Sequence, residues 1–489
     1  MPVAEAVVDI LPEPAPFIHG RPVIDSGGDE FAHIYAATGK ATRIVRLAGP
    51  KEVDEAVASA REALAVWRAV PVDKRRERLL AFAAAIRRHS ESLAVIQTVE
   101  SGVPIRFAKT FPALAADHIE YNAGFADKIA GETVPTWPRP AFDYTISEPF
   151  GVVAMVVSWN AALPALGQLL GAALAAGNTI VLKPSEFAPF TAIRFGELAL
   201  QAGLPEGAVN VVPAAAEASA ALAGHPGVNK LHFTGSPATA RRILRQTMAH
   251  LVPATLELGG KSALIVFEDA DVGAAAQHAL SGAVVLSGQG CANATRVIVH
   301  AKLRDQLLRL VKGFARRVVV GDPLDANTTM GPVVSQPALE RILRLVGEAE
   351  RTGAGRLLCG GRRLGDDLAA GYFIGPTLFA DVDNRSALAQ QEIFGPVVSF
   401  MTFESEKEAV RLANDSRYGL AGYVFTNDLK RAHRIASVLE VGNVWVNGLD
   451  ATAPSAPFGG VKESGYGRLG GRAGIREFIR PKNVWIAMD

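Results

Sequence analysis

Between residues 152 and 258 the chain alternates short β-branched runs with Ala- and Leu-rich helical stretches, and this alternation restricts the fold more than any other feature. Residues 152–157, 179–182, 209–212, 230–233 and 255–258 read as strands; 164–176, 189–201, 215–223 and 238–249 read as helices. Strands this short and apolar offer no polar face to water. Both faces of their sheet must therefore be covered by the intervening helices, which makes the sheet parallel. Ligands of such sheets sit at the carboxyl ends of the strands. A second α/β pattern begins after Gly260, with 263–267, 295–300 and 397–403 as strands. Upstream, 53–66 and 74–101 read as amphipathic helices and the Pro- and Thr-rich stretch 129–148 as an extended hairpin. Residues 484–488 read as a terminal strand, which needs a sheet to join in its own chain or in a partner subunit. The fold class is α/β.

Charge and composition exclude several classes of function. The chain carries 50 Lys and Arg against 49 Asp and Glu, so there is no basic excess to hold nucleic acid or an anionic membrane surface. A hydrophobic fraction of 49% excludes a disordered chain. Cys291 and Cys359 are the only cysteines, too few for a disulfide framework or a Cys-rich zinc site, and no metal is expected. The apolar stretch 161–182 is long enough to span a bilayer. It contains Pro164, Gly167, Gln168, Gly171, Gly177 and Asn178 between two β-rich segments, and reads instead as a buried helix running into a buried strand. Residues 1–16 show no basic segment followed by an apolar one, so no signal peptide is read and the cytoplasm is the expected compartment.

The unusual residues cluster at the strand ends. Ser158-Trp159-Asn160 follows the first strand, Lys183-Pro184-Ser185-Glu186 the second, Phe233-Thr234-Gly235-Ser236 the fourth and Glu257-Leu258-Gly259-Gly260-Lys261 the fifth. An Asn amide can donate to an oxyanion, a Lys and a Glu on one loop can hold sugar hydroxyls, and a Gly-Ser at a helix start can approach phosphates. Each alone also reads as a solvated turn, a helix cap or, for Glu257, a strand-end ion pair with Lys261. Ser287-Gly288-Gln289-Gly290-Cys291 then presents a glycine-flanked thiol on a loop-to-helix turn. A lone Cys in an apolar chain is usually a small buried hydrophobe, and Cys359 is read that way.

The conjunction is more specific than its parts. Trp159-Asn160, Lys183 to Glu186, Phe233 to Ser236, Glu257 to Lys261, Cys291, Glu392 to Pro396 and Pro457 to Gly460, in that order, resemble the NAD(P)-dependent aldehyde dehydrogenase superfamily from about residue 17 to 485. The resemblance implies a Rossmann-type cofactor domain over 1–128 and 149–259, an α/β catalytic domain over 260–463, and a small β bridging element over 129–148 and 478–489 that pairs subunits into a homodimer or homotetramer. It implies Cys291 as nucleophile, Asn160 with the Cys291 N–H as oxyanion hole, and Glu257 as the base that activates water to release a carboxylic acid. For the cofactor it implies Lys183, Ser185 and Glu186 at the adenosine ribose, Gly235 and Ser236 at the pyrophosphate, and Glu392 and Phe394 at the nicotinamide ribose and ring. Trp159, Leu258 and Gly259 would line the same groove. The Glu186 carboxylate favours NAD over NADP, because it accepts from a ribose hydroxyl and repels a 2′-phosphate.

Departures from the family pattern bear on the substrate. Ala161, Gln168 and Thr452 stand where aromatic residues are frequent in the family's tunnel; Gly290 and Ala292 flank the nucleophile, and Phe458 is kept. These residues predict a widened, mainly apolar tunnel for a bulky aromatic, terpenoid or long aliphatic aldehyde. A semialdehyde, a small aldehyde or a CoA-acylating reaction are the alternatives, the last opposed by the presence of Glu257. Leu169 and Leu469 replace a Lys and a Glu common in the family, so water is expected to carry the proton from Glu257. Ala240 replaces a Gly, with either tighter helix packing or a weaker cofactor grip as the consequence.

Overall fold

The computed structural model describes residues 5–448 and 453–488. The alternating segment folds into five parallel strands, β1 (Val152–Val156), β2 (Thr179–Lys183), β3 (Val209–Val211), β4 (Lys230–Gly235) and β5 (Ala254–Leu258). Their spatial order is β3-β2-β1-β4-β5, extended at one edge by Phe17–Ile18 and Arg21–Pro22 and at the other by Gly465–Tyr466. The order reverses between β1 and β4, which opens a crevice at their carboxyl ends. β1 and β2 are buried along their whole length, as continuous apolar runs require. The connecting helices α1 (Ala162–Ala175), α2 (Pro189–Gln201), α3 (Ala216–Ala223) and α4 (Pro237–Thr247) cover the sheet. Pro189 and Pro237 open α2 and α4, where a missing N–H costs nothing. Ala240 is buried in the apolar cluster beneath α4.

Gly259, Gly260 and Lys261 then carry the chain straight into a second sheet. Its strands are β6 (Ser262–Val266), β7 (Ala294–His300), β8 (Arg356–Cys359), β9 (Thr377–Ala380), β10 (Val397–Phe403), β11 (Ala421–Phe425) and β12 (Asn443–Val446). The spatial order is β8-β9-β10-β7-β6-β11-β12, parallel except for the antiparallel edge β8. Helix α5 (Val272–Val284) leads from β6 to the segment carrying Cys291, and α6 (Gln336–Arg351) precedes β8. A separate three-stranded antiparallel sheet joins Ile479–Ala487, Ala141–Pro149 and Thr133–Val134.

Several elements differ from the sequence reading. The stretch 74–101 is two helices, Val72–Arg88 and Ser90–Ser101, turning at His89, whose N–H closes the first and whose carbonyl opens the second. The terminal strand spans nine residues, not five, because it pairs along its full length with Ala141–Pro149. Arg480, Pro481, Lys482 and Asn483 break its apolar pattern, and a largely exposed edge strand tolerates them. The hairpin Glu30–Tyr35 and Lys40–Arg46 and the helix Phe111–Ala123 were not anticipated. The stretch 161–182 is α1 followed by β2, and no helix among the described residues is long and apolar enough to cross a membrane.

Candidate active site

Two connected cavities open at the carboxyl ends of the first sheet. One, of about 590 Å³, is lined by Lys183, Ser185 and Glu186 after β2, by the start of α3, and by Thr239, Arg242 and Gln246 of α4. The other, of about 490 Å³, runs between the sheets past Asn160, Glu257, Cys291, Glu392 and Phe394. Ser158, Trp159, Thr234, Gly235 and Ser236 line both, so they form one bent groove.

At the first end, Lys183 Nζ lies 3.6 Å from Glu186 and Ser185 Oγ lies 3.4 Å from the same carboxylate. Burial lowers the Lys183 pKa, and the Glu186 charge opposes that shift. Ser236 caps α4 by accepting the Thr239 N–H at 3.2 Å. Trp159 meets Phe394 edge-on, ring centres 5.7 Å apart, which joins the two sheets across the groove. Glu392 accepts the Gly260 N–H at 3.0 Å. A Cβ on Gly259 would stand 2.0 Å from the Glu392 carboxylate oxygen, so that residue must be glycine for the carboxylate to sit there. Burial raises the Glu392 pKa although Lys261, Arg341 and Arg417 draw it down.

The nucleophile segment is tightly held. Leu286, Ser287 and Gly288 are consecutive left-handed residues (φ 53°, 53° and 73°). A Cβ on Gly288 would lie 2.1 Å from the Gly395 carbonyl oxygen. Gln289, almost fully buried, accepts the Val334 N–H with its side chain and the Asn160 Nδ2–H with its backbone carbonyl, at 3.0 and 2.8 Å. Ser158 Oγ donates to Asn160 Oδ1 at 2.8 Å and so turns the amide nitrogen toward the Cys291 segment. Tyr423 donates to the Ala292 carbonyl at 2.8 Å. The Cys291 thiol faces the cavity; burial, then the charges of Glu257 and Glu392, push its pKa up to about 12.

Glu257 is 5% exposed and neither carboxylate oxygen has a hydrogen-bond partner among the described residues. Burial holds its pKa well above the usual carboxylate range; Arg468 draws it down and Glu477 adds to the rise. Lys261 Nζ is likewise without a hydrogen-bond partner, so the strand-end ion pair between the two is not formed. Ala161, Ala165, Gln168, Leu169, Phe458 and Leu469 complete the wall beyond Asn160. A two-way backbone bridge at 2.7 Å ties Phe458 to Leu469.

Gly290 lies under the Asn293 amide, and Ala292 packs against the apolar cluster of the second sheet; among the described residues, those found lining this cavity include neither. Thr452 lies outside the described residues. Ser158 and Arg341 were not singled out from sequence. Ser158 stood in a motif read for its Trp and Asn, and Arg341 is one of many charges on the amphipathic α6. No group of three or more His, Cys, Asp or Glu that could hold a metal occurs among the described residues.

A dinucleotide fits this groove. It offers a Lys–Glu pair for hydroxyls, a Ser-capped helix start for phosphate, and a carboxylate in a glycine-made cradle facing the thiol. Residues 23–484 match the model of the aldehyde dehydrogenase family. The chain is 40% identical over 480 residues to a betaine aldehyde dehydrogenase of Cereibacter sphaeroides, covering 98% of each chain. Among solved structures it is similar to a betaine aldehyde dehydrogenase from Staphylococcus aureus in complex with NAD+, with 32% identity, TM-score 0.96 and coverage of 99% and 97%. It is also similar to a mutant indole-3-acetaldehyde dehydrogenase of P. syringae in complex with NAD+ and IAA, with 34% identity, TM-score 0.95 and coverage of 99% of each chain.

Proposed function

The chain belongs to the aldehyde dehydrogenase family, and from that premise we propose that it oxidises a bulky, mainly apolar aldehyde to the carboxylic acid with reduction of NAD. The observation that carries this reading is the convergence of Cys291, Asn160 and Glu257 on one cavity, entered from a dinucleotide-shaped groove. Lys183, Glu186, Ser236 and Glu392 would hold NAD, which when bound supplies the hydride acceptor. Glu186 at the ribose favours NAD over NADP.

Burial and the nearby carboxylates hold the Cys291 pKa up at about 12, so attack on the aldehyde carbon requires removal of its proton. Glu257 lines the same cavity, neither oxygen has a hydrogen-bond partner among the described residues, and it would accept that proton. The oxygen that turns negative on attack is stabilised by the Asn160 amide, oriented by Ser158, and by the Cys291 N–H. After hydride leaves the substrate carbon, the acyl group stays on Cys291 as a thioester. Glu257 first gives up the thiol proton to solvent water and then takes one from the attacking water, whose oxygen displaces the thiolate and frees the acid.

The side chains beyond Asn160 support a bulky substrate: Ala161 and Ala165 leave space, and Leu169, Phe458 and Leu469 are apolar. The relatives named for betaine aldehyde favour a second reading, a small aldehyde. Its trimethylammonium group is recognised by several aromatic faces; Trp159, Phe394 and Phe458 line this cavity, and Phe458 alone of them lies on the wall beyond Asn160. The exposed Phe142, Ile146, Trp485 and Ile486 of the three-stranded sheet support assembly through it into a homodimer or homotetramer, which gel filtration with light scattering tests. The deciding experiment is NADH formation with acetaldehyde, betaine aldehyde, succinic semialdehyde, octanal, a terpenoid aldehyde and benzaldehyde, with NADP in parallel. Higher kcat/KM for the bulky members is expected. If betaine aldehyde or succinic semialdehyde exceeds all of them, the small-aldehyde reading replaces this one.

A further inference from the structure

Glu257 stands on β5 two residues after Thr255, and side chains two apart on a strand share a face. The Thr255 hydroxyl donates to Glu477 Oε2 at 2.6 Å. Lys230, at the start of the neighbouring strand β4, donates to the same oxygen at 3.3 Å, and its side chain is 6% exposed. Glu477 Oε1 accepts the Arg468 N–H at 3.2 Å. One carboxylate, at the end of the short helix Gly471–Arg476, therefore pins both strands to the chain at Arg468.

The pinned chain is what Glu257 rests against. The Arg468 guanidinium donates to the Gly460 and Gly467 carbonyls at 2.9 and 2.6 Å and closes residues 460–467 into a loop. A Cβ on Gly459 would stand 2.8 Å from Glu257 Oε1, 2.9 Å from Arg468 Cδ and 2.7 Å from the Gly467 carbonyl oxygen. A Cβ on Gly467 would stand 2.5 Å from Thr255 Cγ2 and 3.1 Å from Glu477 Oε2. Each carboxylate thus lies against one of two touching glycines.

A buried ion pair is weak evidence of a stabilising role, because desolvating both charges offsets their attraction. An apolar contact would pin the same segments without that cost. What it would lack is charge, and Glu257 is placed to feel charge: it is buried, and neither oxygen has a hydrogen-bond partner among the described residues. The charged and titratable groups around it are Cys291, Arg341 and Glu392 along the cavity, and Arg468, Glu477 and Lys230 on the pinned side. Burial is the first cause of the raised Glu257 pKa; Arg468 opposes the rise and Glu477 adds to it. Lys230 pairs with Glu477 and offsets its negative charge.

We propose that Glu477 is a positioning residue for the oxidation: it seats the 459–468 segment against Glu257 and, together with Lys230, sets the pH range in which Glu257 acts as base. The proposal rests on the reading of Glu257 as the base.

The test is the pH dependence of kcat, from NADH formation at saturating NAD and aldehyde, for the unaltered protein, Glu477→Gln, Lys230→Met and Thr255→Val. Glu477→Gln keeps the shape of the side chain and removes its charge, so its acid limb should move down by at least about 0.5 pH unit. Lys230→Met leaves Glu477 uncompensated, and its limb should move up by a similar amount. Thr255→Val removes a hydrogen bond without changing charge, and its limb should stay within about 0.2 unit. A merely structural pin lowers the melting temperature of all three and moves no limb. That result, or shifts of the same sign in Glu477→Gln and Lys230→Met, overturns the proposal. If one of these two variants fails to fold, the sign of the shift in the other decides. Failure of both to fold makes the pair structural and also overturns the proposal. Glu257→Gln separates the proposal from the reading it rests on. Turnover there with an unmoved acid limb refutes Glu257 as the base and the proposal with it. Loss of turnover there, beside unmoved limbs in the other variants, refutes the proposal alone.

Discussion

Gly259→Ala isolates the cofactor end of the groove with a single methyl group. The added Cβ would stand 2.0 Å from one Glu392 carboxylate oxygen and 2.4 Å from its carboxyl carbon and second oxygen. It would meet the end of a side chain and not backbone, so the fold stays and Glu392 moves. Moving it breaks the 3.0 Å bond from the Gly260 N–H and withdraws the carboxylate from Lys261, Arg341 and Arg417. A hydrogen bond to a charged group contributes about 1.5–3 kcal/mol, so NAD affinity should fall about 10- to 100-fold. Titration of protein fluorescence with NAD gives Kd, and initial rates at saturating aldehyde give KM for NAD. A melting temperature close to that of the unaltered protein confirms that the fold survives. The double variant Gly259→Ala with Glu392→Ala should bind NAD no worse than Glu392→Ala alone, because both changes remove the same contact. An unchanged Kd for Gly259→Ala, or fully additive losses in the double variant, would refute the assignment of Glu392 to cofactor binding through this cradle.

Cys291→Ala should abolish NADH formation and leave the NAD Kd within about twofold, measured by the same titration. Asn160→Ala should lower kcat about 100- to 1,000-fold, the usual loss for an oxyanion donor. Ser158→Ala, which removes only the bond that orients that amide, should cost roughly five- to tenfold, about 1 kcal/mol; a loss as large as that of Asn160→Ala would contradict a purely orienting role. Because burial raises the Glu257 pKa, its basic form is lost as pH falls through a value above the usual carboxylate range. The acid limb of kcat should accordingly lie higher than an exposed Glu would place it. In Glu257→Gln that limb should disappear along with steady-state turnover.

The first sheet was legible because its strands and helices have different periods and compositions, and helix 189–201 and strand 397–403 were located to the residue. Its functional strand ends were legible for the same reason: parallel topology assigns every carboxyl end to one side, so Asn160, Glu186, Ser236 and Glu257 had to face a common groove. What remained hidden depends on contacts between distant segments. Ser158 takes its role from one hydrogen bond to Asn160, and Arg341 from the way α6 packs beside Glu392. Gly290 and Ala292 were expected in the tunnel because they flank Cys291. Three left-handed residues precede that segment and the Tyr423 hydroxyl holds the Ala292 carbonyl, so the direction of each side chain there depends on the loop's contacts and not on distance from Cys291 in sequence. The terminal strand was half-read because its partner, not its own composition, fixes its length.

Leu169 and Leu469 bring the chemistry of the base and the choice of substrate onto one surface. Both lie in the same apolar cluster and both line the cavity that holds Glu257. An aldehyde with an apolar body gains from every such side chain it covers, at about 25 cal/mol per Å² removed from water. In the same cavity Glu257 has no hydrogen-bond partner among the described residues, and desolvation is the first cause of its raised pKa. A polar pair at these positions would solvate the carboxylate and lower its pKa, and it would also place unpaired polar atoms against an apolar tail. A raised Glu257 pKa and an apolar substrate would therefore draw on the same residues.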